Sequence, residues 1–532
     1  MNNNLYTFQK SRTGEIVPVI MHPREQPLHS MIDPVREGER LVSEVKRDDF
    51  IIFLGLGGGF APKAILEATD TDVLIIDYKA DELFSNLDYT LLLNNERFYF
   101  LLDPNSSQII KFITEHYKPA LCGGIKVIPL RTRIEGEKER FESAASSIRE
   151  AIEIVSADYS VQAHFGKRWF SNIIRNVSNI EFNGNNFFKE GRKPVNEAAI
   201  VAAGPSLDIQ LESLANLKSR GGFIICADTA LPVLLQNRIE PDVVVSIDCQ
   251  HISYFHFIGG VFNVPIVLDI ASPPLLSGLG SPVFFSSSHP LARYVSKHLH
   301  LPHLDTSGGN VTYACLSFAE FIQAKKIVLY GTDFSYVNSK TYAKGTYIYP
   351  FFERKQTRIV SLEAQLSKFL YRNPFLPKEC ENQTYIETSQ MRFYRKKFEE
   401  KASGLKAGDI QVEITCEKGN GAPITIDNNH KQTLTEETYN HENFKKMSGK
   451  EFLKQYKKDI TSLPKAAANE NYLKKLTENE KIIFFTLLPY AAAFKKRNSE
   501  IKQNELIEEV KNKSIKEIEN LLKISNCSIT HK

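Results

Sequence analysis

The residues best suited to chemistry lie between positions 204 and 342. Gly204-Pro205-Ser206-Leu207 follows the small, β-branched run Ala198–Ala203. A strand should therefore stop in a tight turn and feed a helix that Ser206 caps and Leu207 opens. The first N–H groups of such a helix lack partners and its dipole is positive there, so the turn suits an anion such as a nucleotide phosphate. Asp228 and Asp248 each end a further apolar run, and Gly331 and Asp333 close another. Thr306-Ser307-Gly308, Thr312, Tyr336 and Tyr342 add hydroxyls and backbone donors, and the Ser286–His289 turn adds an imidazole. These are groups that hold a nucleotide and move a proton.

The elements that must position them alternate between apolar strands and helical runs. Strands are expected at Ala198–Ala203, Gly222–Ala227, Val243–Ile247, Pro265–Ile270, Pro282–Phe285 and Lys326–Tyr330, with helical segments such as T-A-L-P-V-L-L-Q-N between them. That order predicts an α/β fold with a Rossmann-like, mainly parallel sheet covered on both faces. Ligands in such sheets lie beyond the carboxyl ends of the strands. Gly204, Asp228, Asp248, the Ser286–His289 turn and Asp333 all fall at those ends.

Gly204–Leu207, Thr306–Gly308 and the run A-K-K-I-V-L-Y-G-T-D-F at Ala324–Phe334 resemble nucleotide-binding elements of bacterial sialyltransferases that use CMP-sialic acid. C-A-D-T-A-L-P-V-L-L followed by I-E-P-D-V-V-V-S-I-D resembles more closely the motility-associated factor (Maf) flagellin glycosyltransferases, a group related to the archaeal 6-hydroxymethylpterin diphosphokinases (MptE-like). The resemblance implies that Gly204, Pro205 and Ser206 face the nucleotide phosphate and ribose. It implies that Thr306, Ser307 and Gly308 frame the CMP base and sugar, with Thr312 as an alternative, and that Gly331 and Asp333 close the same end. It gives Tyr336 and Tyr342, which keep the family's mutual spacing of six, the task of donating to the leaving phosphate. The family's downstream histidine base has no counterpart, since no histidine lies between His303 and His430. A carboxylate or His289 is left as the candidate catalytic base. Each site also has a plainer reading: Asp228 and Asp248 as turn caps, His289 as a turn residue, the tyrosines as lid packing, and Lys340, Lys344, Arg354 and Arg358 as a solvated face.

Ahead of this region, Asp49–Leu54, G-L-G-G-G at Gly55–Gly59, a helical run and Val73–Ile76 ending in Asp77 form a second Rossmann-like unit. Asp77 would accept ribose hydroxyls if the turn binds a dinucleotide or S-adenosylmethionine; otherwise the glycines serve packing. A helical pattern follows from Lys138 to about Ile180, then a polar linker around Asn183–Lys193. Residues 360–400 read as helical, 411–424 as strand-like, and the chain from Thr433 onward as helical and lysine-rich. The segments are thus 1–137, a smaller Rossmann-like domain; 138–193, helical connector and linker; 194–430, the catalytic domain; and 431–532, a helical domain. Residues 441–532 carry 18 Lys and one Arg against 12 Asp and Glu, which suits an amphipathic bundle with a basic wet face or a dock for an acidic partner.

Over the whole chain the net charge is +3, giving no argument for nucleic acid. Seven scattered cysteines without a C-x-x-C pair point to a reducing compartment. The N-terminus has no signal architecture, and the longest apolar run, Ile482–Phe494, is interrupted by Pro489 and falls short of a membrane span. The expectation is a cytoplasmic glycosyltransferase without membrane insertion. From the resemblance, it moves a nonulosonic acid from a CMP donor to Ser or Thr of its partner flagellin and requires no metal. Three alternatives stay open: an ATP- and Mg²⁺-dependent diphosphokinase with the cation at Asp228 and Asp248, a non-catalytic flagellin-binding module, and a methyltransferase at the Gly55–Gly59 turn.

Overall fold

Short, fully buried β-branched runs form the strands, as parallel sheets covered on both faces require. The computed structural model describes residues 5–66, 68–180, 194–260, 264–380, 383–407, 410–414, 424–427, 446–468 and 471–527. The proposed linker at 183–193 lies outside them. Two compact units result, Met1–Lys167 with Ile460–Ser514, and Arg168–Asp459 with Ile515–Lys532.

In the first unit, β1 (Tyr6–Lys10), β2 (Ile16–Ile20) and β3 (Gln26–Pro27) make an antiparallel sheet. β4 (Phe50–Leu54), β5 (Val73–Asp77), β6 (Phe98–Leu102) and β7 (Ile125–Pro129) make a parallel sheet of order β6-β5-β4-β7. Alternate residues of β4 and β5 enter two separate cores: Ile51, Phe53, Val73 and Ile75 on one face, Phe50, Ile52, Leu74 and Ile76 on the other. The helical run expected from Lys138 is a single helix, Lys138–Ser178. The segment 460–514 packs as helices with this unit, including Glu478–Lys495, which begins in a Thr477/Glu480 capping box and contains Pro489. No helix among the described residues is long and apolar enough to cross a membrane.

The second unit is built on seven parallel strands: β8 (Glu197–Val201), β9 (Phe223–Ala227), β10 (Val243–Ser246), β11 (Pro265–Asp269), β12 (Ser281–Phe285), β13 (Lys326–Tyr330) and β17 (Gln411–Ile414). Their order is β12-β11-β10-β9-β8-β13-β17. The helix Val311–Phe321 lies across β8, β9 and β10 and is buried along almost its whole length. The helical reading of residues 360–400 holds only in part. The helices Leu362–Leu370 and Ser389–Ala407 are present, but between them β15 (Phe375–Cys380) and β16 (Gln383–Thr388) form a hairpin that pairs with β14 (Tyr336–Val337). Alternation was masked there because Pro377 and the charged Lys378 and Glu379 break the apolar pattern.

Candidate functional site

The strand order reverses once. From β8 the chain steps outward through β9 to β12, then returns to the other side of β8 as β13. The carboxyl ends of β8 and β13 are therefore the topological switch point, where such sheets open a crevice. The sequence had placed Gly204, Ser206, Gly331 and Asp333 there, and the structure brings all four together. Their arrangement differs from the expected anion cradle. Ser206 does not cap the helix Leu207–Ser219 with its side chain. Its N–H donates to Asp333 Oδ2 at 2.8 Å and its hydroxyl to Asp333 Oδ1 at 2.5 Å. The negative charge at this helix start is thus the buried carboxylate of Asp333, 4% exposed. Gly204 donates to the Gly331 carbonyl at 2.8 Å, and a Cβ at 204 would strike that carbonyl and the Asp333 carboxylate. Gly331, at φ +62°, donates to Gln210 Oε1 at 2.8 Å. Gly204, Ser206, Gly331 and Asp333 lock two strand ends together, with Pro205 buried in the turn.

Two further carboxylates lie one and two strands further along, Asp228 buried at 3% exposure and Asp248 partly open. Asp228, after β9, accepts from Thr229 N–H at 2.7 Å, from the Thr229 hydroxyl and from the Ser246 hydroxyl at 2.7 Å. Asp248, after β10, is only partly buried and accepts from Gln250 N–H at 2.9 Å. Burial and the nearby Asp228 charge hold the Asp248 carboxyl above its usual range, against the pull of Gln250 and His256. Asp269, at the end of β11, was missed because Ile270 extends its apolar run. It is 4% exposed, accepts from Ala271 N–H at 2.8 Å and from Ser287, and is pushed by burial to about 6.

The segment after Asp333 crosses these ends. Ala343 N–H donates to Ala203 O at 3.0 Å, Lys344 N–H to Asp208 Oδ1 at 2.8 Å, and Gln236 Nε2 to Gly345 O at 3.3 Å. Burial raises the Tyr342 and Tyr347 phenols, and both feel the Asp228 charge. Each therefore keeps its proton and can donate it in a hydrogen bond. Tyr336, also raised by burial, is a β14 residue packed with Leu370 and Ile386. Arg372, exposed and stacked 3.6 Å from the Phe369 ring centroid, lowers all three phenols and so brings positive charge to the group. Neither Arg372 nor His256 had a sequence signal, since each reaches the tyrosines from a segment with no motif of its own.

The Thr306–Gly309 turn starts the helix Val311–Phe321, whose N-cap is Asn310. A helix leading into a parallel strand begins at the strands' carboxyl edge, so this turn shares the edge with Asp228. Ser307 N–H donates to Asp305 Oδ1 at 2.9 Å and Tyr313 OH to Asp305 Oδ2 at 2.6 Å. Burial raises the Asp305 carboxyl, but these bonds more than offset it and hold it below its usual range. Gly308 lies where a Cβ would strike the Tyr313 ring, and Thr312 is buried. His289 is a helix cap: Nδ1 accepts from Leu291 N–H at 3.2 Å, and the ring lies 4.9 Å from Trp169. Burial lowers its pKa to about 3. With its lone pair engaged and its basicity suppressed, it is a poor candidate for the base. Lys340, Lys344, Arg354 and Arg358 are exposed. No group of three or more His, Cys, Asp or Glu among the described residues is placed to hold a metal ion.

In the first unit the glycine turn is filled from within. Asp77 is fully buried, accepting from Leu56 N–H at 2.6 Å and Tyr78 N–H at 2.7 Å, and pairs with Arg133 Nε at 3.0 Å. Gly58 N–H donates to His29 Nε2 at 2.8 Å, and the Tyr89 hydroxyl donates to Gly57 O. The ribose role expected for Asp77 is therefore corrected: its oxygens are held by the protein itself, and the glycines serve close packing.

Residues 171–339, inside the second unit, match the family described as 6-hydroxymethylpterin diphosphokinase MptE-like. Three uncharacterised proteins of Treponema pallidum (strain Nichols) are similar. One is 34% identical over 150 residues, 27% of this chain and 53% of the relative. A second is 31% identical over 174 residues, 32% of this chain and 80% of the relative. The third is 25% identical over 241 residues, 43% of this chain and 51% of the relative. The match thus spans about half the length of two of these relatives. The structure of the MAf glycosyltransferase from Magnetospirillum magneticum AMB-1 aligns with a TM-score of 0.54 at 12% identity, over 98% of this chain and 92% of that one. Residues 171–339 thus match an MptE-like domain, and the chain as a whole has the fold of a Maf glycosyltransferase.

Proposed function

We propose that this chain is a glycosyltransferase that moves a nonulosonic acid from a CMP donor to Ser or Thr hydroxyls of flagellin, and so serves flagellar assembly and motility. The observation that carries the reading is the group at the carboxyl edge of the seven-stranded sheet. Tyr342 and Tyr347, kept protonated by burial, and the Arg372 guanidinium act on the ground next to Asp228 and Asp248. Neutral phenols and one cation are what a departing CMP phosphate needs, because its charge grows as the glycosyl bond breaks. Tyr336 supports the same group from β14, and the Thr306–Gly308 turn supplies the wall for base and ribose. Asp248, the partly exposed acid, faces the sugar and acceptor hydroxyls. The locked turn at Gly204–Ser206 and Gly331–Asp333 fixes the distance between β8 and β13, and acts on the nucleotide through that geometry.

The test is transfer itself. Purified chain, a CMP-nonulosonic acid and flagellin are incubated, and flagellin is followed by intact mass. The wild type adds one sugar mass per site, and Tyr342→Phe slows the addition about 10²–10³-fold, the usual loss for one transition-state donor. Flagellin left unmodified, with binding of ATP that depends on Mg²⁺, would instead identify a diphosphokinase. Flagellin binding with no nucleotide binding would identify a scaffold.

A further inference from the structure

The proposed transfer lacks a base, because His289 caps a helix and no histidine follows the tyrosines before His430. Within the second unit, His303 Nδ1 lies 3.4 Å from the Ser286 hydroxyl, and His251 is exposed on its turn. His256 differs from both. It sits in the seven-residue 3-10 segment His251–Phe257 that follows β10, and its residue is 8% exposed. Its ring meets Tyr347 edge-on at 4.5 Å between centroids. Its Nδ1 is buried with no hydrogen-bond partner among the described residues. Leaving such an atom unsatisfied is unfavourable, a deficit that an incoming hydroxyl would remove. It also interacts electrostatically with Asp248, the partly exposed carboxylate that follows β10.

We propose that His256 is the general base that deprotonates the acceptor hydroxyl, with Asp248 as the positioning residue that stabilises the imidazolium. The proposal rests on the glycosyltransferase reading above. In the step, the acceptor O–H proton passes to the His256 ring and the O–H electron pair forms the new bond to the anomeric carbon. The bond from that carbon to the phosphate oxygen breaks, and its electron pair leaves with CMP. The imidazolium then returns its proton to water. The charged and titratable groups around this ring are Tyr347, which it meets edge-on, and Asp248, with which it interacts; Asp228 and Arg372 act on Tyr347. Placing the base on this turn also explains how the chain does without a histidine after the tyrosines: the same edge of the sheet is reached from β10.

The experiment uses the full chain with CMP-nonulosonic acid and flagellin. His256→Gln is expected to bind CMP within about twofold of wild type, to lose transfer about 10²–10⁴-fold, and to lose the acidic limb of the kcat/KM–pH profile. His256→Ala is expected to recover part of its rate when imidazole is added, which a merely structural histidine would not show. Asp248→Asn should shift that limb while leaving CMP affinity unchanged. Transfer by His256→Gln at the wild-type rate with an unaltered pH profile would overturn the assignment, as would loss of CMP binding together with loss of folding in both His256 variants. A wild-type chain that binds no CMP and transfers nothing would overturn the glycosyltransferase reading itself, so the two failures are distinct.

Discussion

Asp333→Ala is the sharpest test of the locked turn. The carboxylate accepts two bonds from Ser206, the N–H at 2.8 Å and the hydroxyl at 2.5 Å, in a site where Asp333 and Ser206 are each 4% exposed. Removing it leaves two buried donors without that acceptor, at about 1–3 kcal/mol each, so the second unit should lose about 2–6 kcal/mol. Ser206→Ala removes only the hydroxyl and keeps the N–H bond, so about 1–2 kcal/mol is expected. The chain has a single tryptophan, Trp169, which lies in the second unit beside His289. Its fluorescence therefore reports on that unit during urea unfolding. With a slope of about 3 kcal/mol per molar urea, the Asp333→Ala midpoint should fall by about 0.7–2 M. CMP affinity, measured in buffer where both proteins are folded, should change less than about tenfold. An unmoved Trp169 transition combined with abolished CMP binding would refute the reasoning, because Asp333 would then be a ligand group and no lock.

Asp269 gives a pH signature. Its folded pKa of about 6 exceeds its ordinary 3.8, so the fold disfavours the ionised form and this group's stability contribution falls as pH rises from about 4 to about 6. At 1.4 kcal/mol per unit the penalty at neutral pH is about 3 kcal/mol. Asp269→Asn should raise the Trp169 urea midpoint at pH 7.5 and converge on wild type near pH 4; an equal gain at both pH values would contradict the assignment. Asp77→Ala should destabilise the first unit by about 3–5 kcal/mol, since Arg133 is left buried and unpaired, and should leave CMP affinity unchanged. Calorimetry reads both, and unaltered melting with a lost ligand would restore the ribose role.

Much of the second unit was legible because its strands are fully buried runs such as Ile224–Ala227 and Val243–Ser246, which end in acids or glycine. The small β14–β16–β15 sheet was not, because its stability comes from pairing across nearly fifty residues of chain rather than from its own pattern. The same limit applied to the site. Gly204, Ser206, Gly331 and Asp333 were legible as neighbours, since sequence marks strand ends. That Asp333 would fill the helix start was not, since its hydrogen bonds depend on β8 and β13 lying side by side. His256 and Arg372 carry no motif and become visible only when the loop Tyr336–Tyr347 is laid over the strand ends. Asp77 illustrates the converse: strand, glycines and acid were all present, yet a buried arginine from after β7 takes the acid.

The central claim is a CMP site at the carboxyl edge of the seven-stranded sheet. Calorimetric titration of the full chain with CMP and with ATP, each with and without Mg²⁺, on wild type and Tyr342→Phe, tests it most directly. The account predicts saturable CMP binding that does not require Mg²⁺ and weakens by about 1–2 kcal/mol, roughly 5–30-fold, when the phenol donor is removed. Mg²⁺-dependent ATP binding without CMP binding, or CMP binding indifferent to Tyr342, would contradict it.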